Sequence, residues 1–93
     1  MQKKKKVDLA ALQSPFMRIP QMPVAVARYL LDAGYTDIFQ LQGRSAESLL
    51  QEIRKSANLL PESNTLPALR LALYFAENEN NPDRALLNLH AWN

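Results

Sequence analysis

Four consecutive lysines, Lys3, Lys4, Lys5 and Lys6, form the densest charge in this chain of 93 residues. Such a run attracts polyanions without reading their sequence, because binding releases condensed counterions. It reads equally as a solvated terminus that aids solubility. A second group able to hold an anion follows Pro23. That proline opens a helical pattern, so the amides of Val24 and Ala25 lack partners inside the helix and can face an anion. Arg28 stands one turn further on, within reach of a phosphate. Asp32 lies at i+4 from Arg28, and a surface ion pair is an equal account of that arginine. His90 is the single histidine and there is no cysteine. One histidine alone builds no zinc site of ordinary composition, and thiol chemistry is excluded. No phosphate-loop, dinucleotide or zinc-protease motif occurs. The expectation is a protein that is not an enzyme, with no catalytic residue, metal or cofactor.

The elements that must position these groups follow from composition and spacing. With 47% hydrophobic residues, two glycines and 10.6 kDa, the chain suits one small domain with a modest core. The formal charge of +2 is a property of the tail: without Lys3–Lys6, residues 7–93 carry −2. The longest apolar stretch, Leu66 to Ala76, is about half a membrane span and contains Arg70. The basic start lacks the apolar region of a secretory signal. A cytoplasmic protein with no membrane partner is expected.

No segment alternates with period two, and no Asn-Gly or Asp-Gly hairpin signal appears. Helix signals recur instead. Ser14-Pro15 predicts a cap and the start of a short helix through Phe16, Met17 and Ile19. From Pro23, the spacing places Val24, Ala27, Leu30 and Leu31 inward, with Ala25, Arg28, Tyr29 and Asp32 outward, and Gly34 suits the C-terminal cap. Thr36 is expected to cap a short helix whose Ile38, Phe39 and Leu41 face the core. Ser45 caps the clearest amphipathic stretch, with Ala46, Leu49, Leu50, Ile53 and Ala57 on one face. Leu60 to Asn64 reads as a loop. Thr65 to about Glu77 is apolar almost all round, as in a central helix or one with a face left for a partner. Asn81-Pro82 opens a last helix carrying Leu86, Leu89 and Trp92. The expected fold is all-α: a disordered basic tail at 1–7, then one helical domain over 8–93 of five or six short helices.

Phe16 to Leu41 resembles a helix-hairpin-helix unit: a short helix, a hairpin of the Leu/Ile-Pro-Gly-x-Gly-Pro type, a second helix ending in Ala-Gly-Tyr, then a short helix. Ile19-Pro20 matches the hairpin entrance. Met22 falls where the family inserts an apolar residue between its helices, and Val24, Ala27, Leu30, Leu31, Ala33-Gly34-Tyr35 and Leu41 match the rest. The unit spans about 14–57. With the C-terminal helices over about 65–92, and the run Leu71 to Ala76 followed by a late Trp, the chain resembles a small bacterial helix-hairpin-helix-like family. Members of that family carry the labels pathogenicity-locus protein or mitomycin-resistance protein. They often have a cysteine before the long helix, so no role tied to that cysteine carries over. Sterile-alpha-motif bundles share the same general architecture.

The resemblance implies a site for the DNA backbone, gripped by hairpin amides without base readout. Its residues here are Gln21, Val24, Ala25 and Arg28, joined by Lys3, Lys4, Lys5 and Lys6. Both hairpin glycines are replaced, by Gln21 and Pro23. Proline supplies no N–H, and a side chain at position 21 crowds the approach and makes a positive φ costlier. Two readings follow. One is a weak, sequence-independent DNA-binding module. The other is a protein-interaction adaptor whose hairpin no longer binds phosphate, with partner docking or self-association through the Leu66–Ala76 helix.

Overall fold

A computed structural model describes residues 8–57 and 64–93. The Lys3–Lys6 run, the expected disorder of residues 1–7, the Leu60–Ser63 part of the expected loop and the side chain of Ala57 lie outside the described residues.

Asp8 begins the described fold by capping a helix that residue spacing did not suggest. Its carboxylate accepts from the Ala11 amide at 3.1 Å, and α1 runs Leu9–Leu12. Four residues are too few for periodicity to register. Ser14 then serves α1 rather than the element after it: its hydroxyl donates to the Ala11 carbonyl at 2.7 Å and makes no cap bond to the following turn. The segment opened by Pro15 is a 3-10 turn, Pro15–Arg18, because Pro20 leaves no room for a longer helix.

Helix α2, Val24–Asp32, ends in the arrangement Gly34 suggests. The Tyr35 amide reaches the Leu30 carbonyl at 2.9 Å and the Gly34 amide reaches Leu31 at 3.0 Å, with Gly34 at φ +99°. This is the paired bonding of a Schellman cap, for which glycine carries no side-chain penalty. The buried face is Val26, Ala27 and Leu30, while Val24, Tyr29 and Leu31 are half-buried. Val26 thus takes the inward place expected for Val24.

The next turn, Ile38–Leu41, is 3-10 and is capped by Asp37, not Thr36. Gln40 Oε1 reaches back to the Thr36 and Asp37 amides at 2.6 and 2.9 Å, completing a capping box. Three residues per turn align Ile38 with Leu41, and both are buried. Phe39 falls off that line and is 65% exposed, against the expectation that it faces the core.

Helix α3, Ala46–Ala57, has Ser45 at its start, where the hydroxyl accepts from the Ser48 amide at 3.1 Å. Ala46, Leu49 and Ile53 are buried and Leu50 half-buried. Helix α4, Thr65–Glu77, is the central element. Pro67 is tolerated because the first-turn amides have no helical acceptor to lose. Thr65, Pro67, Ala68, Leu69, Leu71, Ala72 and Ala76 are buried, and α4 packs against α2, α3, the Ile38–Leu41 turn and the chain's last turn.

Residues 83–93 form no continuous helix. Two 3-10 turns, Arg84–Leu86 and Leu89–Trp92, are separated where Asn88 starts a new cap by accepting from the Ala91 amide at 3.0 Å. Asparagine favours such local bonds over helix continuation. This strap lies on α4: the Tyr74 and Trp92 rings stand 5.5 Å apart, Arg70 donates to the Trp92 carbonyl at 3.0 Å, and the Trp92 indole donates to the Leu86 carbonyl at 2.8 Å. Leu66, Leu73 and Phe75 of α4 are partly buried against the core and are not among the exposed large apolar residues. The described chain is all-helical, with four α-helices, four 3-10 turns and no strand; the further short helices expected from the punctuation are 3-10 turns.

Candidate functional site

The bend between the Pro15–Arg18 turn and α2 is a β-turn closed by the Met22 amide on the Ile19 carbonyl at 3.2 Å. Pro20 occupies its second position, and Gln21 in the third adopts φ +61°, the one non-glycine residue at positive φ among the described residues. That is the geometry of a type II turn, in which glycine is usual. Met22 is 5% exposed and belongs to the core. Gln21 uses its side chain: Oε1 accepts from the Leu89 amide at 3.0 Å and ties the C-terminal strap to the bend. The bond explains what a side chain gains at a strained position, since glycine there would leave Leu89 untethered.

Pro23 stands at the cap of α2 and provides no side-chain cap. Its carbonyl accepts from Val26 at 3.1 Å and Ala27 at 3.2 Å. The Val24 and Ala25 amides have no partner among the described residues; Val24 is half-buried and Ala25 exposed. The orphan donors read from the sequence are thus present as two amides.

Arg28 is committed elsewhere. Nε and Nη2 donate to the two carboxylate oxygens of Asp8 at 2.7 and 2.6 Å, and Nη1 donates to Asp32 at 2.9 Å. All three nitrogens of the guanidinium face carboxylates, and the Asp8 contact is the bidentate form that suits its planar fork. The Arg28 bond, with the Ala11 amide, holds the Asp8 carboxyl down at about 2. The two aspartates push the arginine in the opposite direction, further towards its charged form. The group carries −1 in sum, which opposes an approaching phosphate. The i+4 pair with Asp32 is legible from spacing, but the Asp8 partner is 20 residues away. Its one sequence signal is the aspartate just before Leu9-Ala10-Ala11-Leu12, which marks a cap and not a pairing.

A second polar group ties the end of α2 to α3. Tyr35 donates its hydroxyl to Glu52 at 2.7 Å, and the Arg44 guanidinium lies 5.3 Å from the Tyr35 ring centroid. Burial, then the bond to Glu52, pushes the Tyr35 hydroxyl up to about 12. Elsewhere Arg18 faces Glu79 and Arg70 faces Glu47, at 3.6 and 3.7 Å. Four of the seven basic residues of the body, Arg18, Arg28, Arg44 and Arg70, thus face its own acids. A groove of about 360 Å³ runs beside Trp92, between Ala46, Arg70, Leu73 and Tyr74. His90 is exposed and far in sequence from any partner carboxylate. Among the described residues, no three His, Asp or Glu side chains converge as metal ligands, and no helix is long and apolar enough to cross a membrane.

Of the residues singled out in the sequence, the fold brings Gln21, Val24, Ala25 and Arg28 to one bend; the lysines lie outside the described residues. Compared with known proteins, the chain matches no family model, no curated protein and no solved structure.

Proposed function

We propose that this chain is a small non-enzymatic helical module that acts in the cytoplasm by docking to another protein. Its Ile19–Ala25 bend is then a packing element. In this reading the bend is a helix-hairpin-helix that has exchanged its phosphate seat for an internal tether, within the small bacterial family that the sequence resembles. The observation that carries the reading is the engagement of all three Arg28 nitrogens by Asp8 and Asp32. A phosphate grip needs a cation free to turn to the anion, whereas this guanidinium bridges two carboxylates in a group of net charge −1 and keeps only two of its five N–H donors. Pro23 has no N–H to contribute, and the Gln21 side chain is used by Leu89.

The DNA-backbone reading keeps one supporting observation, the unpartnered amides of Val24 and Ala25. The two readings separate in an amide-resolved NMR titration of the full chain with a short DNA duplex and, separately, inorganic phosphate. A docking module leaves the Val24 and Ala25 signals unmoved. Any duplex binding then depends on Lys3–Lys6, and changing all four to alanine flattens the salt dependence by up to about 3 or 4 units. Saturable movement of Val24 and Ala25 by duplex, surviving the lysine changes, overturns the docking reading.

A further inference from the structure

We propose that residues 83–93 are an autoinhibitory strap: they open as one unit from the Arg70, Leu73 and Tyr74 face of α4, and a partner segment of the strap's own chemistry docks on the face they cover. The inference rests on the protein-docking reading above and names the surface, the contact that covers it and the segment that replaces that contact.

The two turns of the strap are bonded to each other. Asn88 bridges them, donating to the Ala85 carbonyl at 2.8 Å and accepting from the Ala91 amide at 3.0 Å. The Trp92 indole closes the second turn onto the Leu86 carbonyl. The Leu86, Leu87 and Ala91 amides also find backbone acceptors inside the strap, on Asp83, Arg84 and Asn88. Towards the body there are three polar hooks among the described residues: the Leu89 amide on Gln21, the Trp92 carbonyl on Arg70 and the Asp83 amide on Tyr74. Turns this short do not hold in water by themselves, so the internal bonds form and break with docking. Segments coupled in this way open together, ahead of the core. Between α4 and the strap, Glu79, Asn80 and Asn81 are exposed, and a joint there turns without disturbing core packing.

Arg70, Leu73 and Tyr74 stand at i, i+3 and i+4 on α4 and so share one side. The strap covers part of that side, with the Tyr74 and Trp92 rings 5.5 Å apart. The groove of about 360 Å³ between Ala46, Arg70, Leu73 and Tyr74 stays open beside Trp92. An incoming segment therefore has a foothold before the strap leaves. What the face accepts is shown by the strap seated on it. Leu86, Leu89 and Trp92 recur at every third residue and are half-buried, and the carbonyl of residue 92 meets the Arg70 guanidinium. The occupant is accordingly a short segment of another protein molecule, apolar at every third residue and closing on an aromatic ring whose carbonyl reaches Arg70.

Amide hydrogen exchange on the full chain tests the unit. Leu87 and Ala91 should exchange at least about 10-fold faster than α4 amides, after correction for intrinsic rates. Gln21→Ala cuts the Leu89 hook alone, yet should quicken Leu87, Leu89 and Ala91 by one common factor of about 2- to 10-fold. Strap amides as slow as those of α4, or a change confined to Leu89, overturn the unit.

A labelled peptide of residues 83–93, followed by fluorescence anisotropy against the full chain, tests the face. Its apparent affinity scales with the fraction of molecules whose strap is open. Trp92→Ala weakens the resident strap and leaves the face intact, so the peptide should bind that chain about 10-fold more tightly than the parent. Leu89→Ala should act in the same direction, and circular dichroism verifies both folds. A peptide with alanine in place of its tryptophan should lose binding. Equal binding to the parent and both variants overturns the strap as an inhibitory contact and leaves the docking reading intact. Undiminished binding of the alanine peptide overturns the occupant's chemistry. Duplex binding that moves the Val24 and Ala25 amides overturns the reading beneath both.

Discussion

Replacing Gln21 by glycine and by alanine separates the backbone strain at the bend from the tether it supports. Gln21 holds φ +61° and accepts the Leu89 amide at 3.0 Å. The left-handed conformation costs a residue with a Cβ about 1–2 kcal/mol. Glycine escapes that cost but loses about 0.4–1 kcal/mol through the greater freedom of its unfolded chain, leaving a backbone gain of about 0.5–1 kcal/mol. The side-chain bond is solvent-exposed and contributes about 0.5–1.5 kcal/mol net. Gln21→Ala keeps the strain and loses the bond, so it should destabilise by about 1 kcal/mol. Gln21→Gly loses the same bond and relieves the strain, so it should fall within about 0.5 kcal/mol of the parent. For a domain of this size, about 1 kcal/mol moves Tm by about 4–8 °C. Thermal and urea unfolding followed by far-ultraviolet circular dichroism resolves that order, and hydrogen exchange at Leu89 reports the tether directly: both variants should exchange faster there. An alanine variant as stable as the parent would refute a stabilising tether. A glycine variant less stable than the alanine one would refute the strain.

Two further substitutions probe the buried polar groups. Tyr35 has its hydroxyl pushed up to about 12 in the fold, against about 10 in an unfolded chain. Its contribution is therefore complete below about pH 10 and is lost as pH rises towards about 12, because the unfolded chain releases the proton first. Unfolding free energy measured across that window should fall more steeply for the parent than for Tyr35→Phe; parallel curves would show that the hydroxyl is not held protonated. Thr65 is 1% exposed, and its hydroxyl has no partner among the described residues. Thr65→Val keeps the shape and removes a buried polar group, so stability should rise by about 1–2 kcal/mol in urea unfolding. A loss of stability would reveal a bond to that hydroxyl.

The bend illustrates how a strained position can be retained. Glycine at position 21 would be conformationally easier, yet only a side chain there can reach the strap. The strap buries none of its residues fully and depends on a few polar hooks: Gln21 on Leu89, Arg70 on Trp92, and the Tyr74 hydroxyl on the Asp83 amide at 2.7 Å. Partial burial of Leu87, Leu89 and Trp92 against the core adds to these hooks.

Local spacing settled what depends on neighbours in the chain. The 12-residue amphipathic stretch of α3, the near-uniform apolarity that makes α4 central, the glycine cap after α2 and the Arg28–Asp32 pair all involve residues within about one helical turn. Helical geometry alone brings such residues together. Tertiary packing decided the rest. Whether four residues between prolines wind as α or 3-10, and whether Phe39 turns inward, depends on the surface each segment meets and not on its own pattern. The Asp8–Arg28 clamp and the Gln21–Leu89 tether join residues 20 and 68 positions apart. No periodicity encodes such pairs; they exist because the core first sets α1 beside α2 and the strap beside the bend. Those two contacts tie the bend to α1 and to the strap.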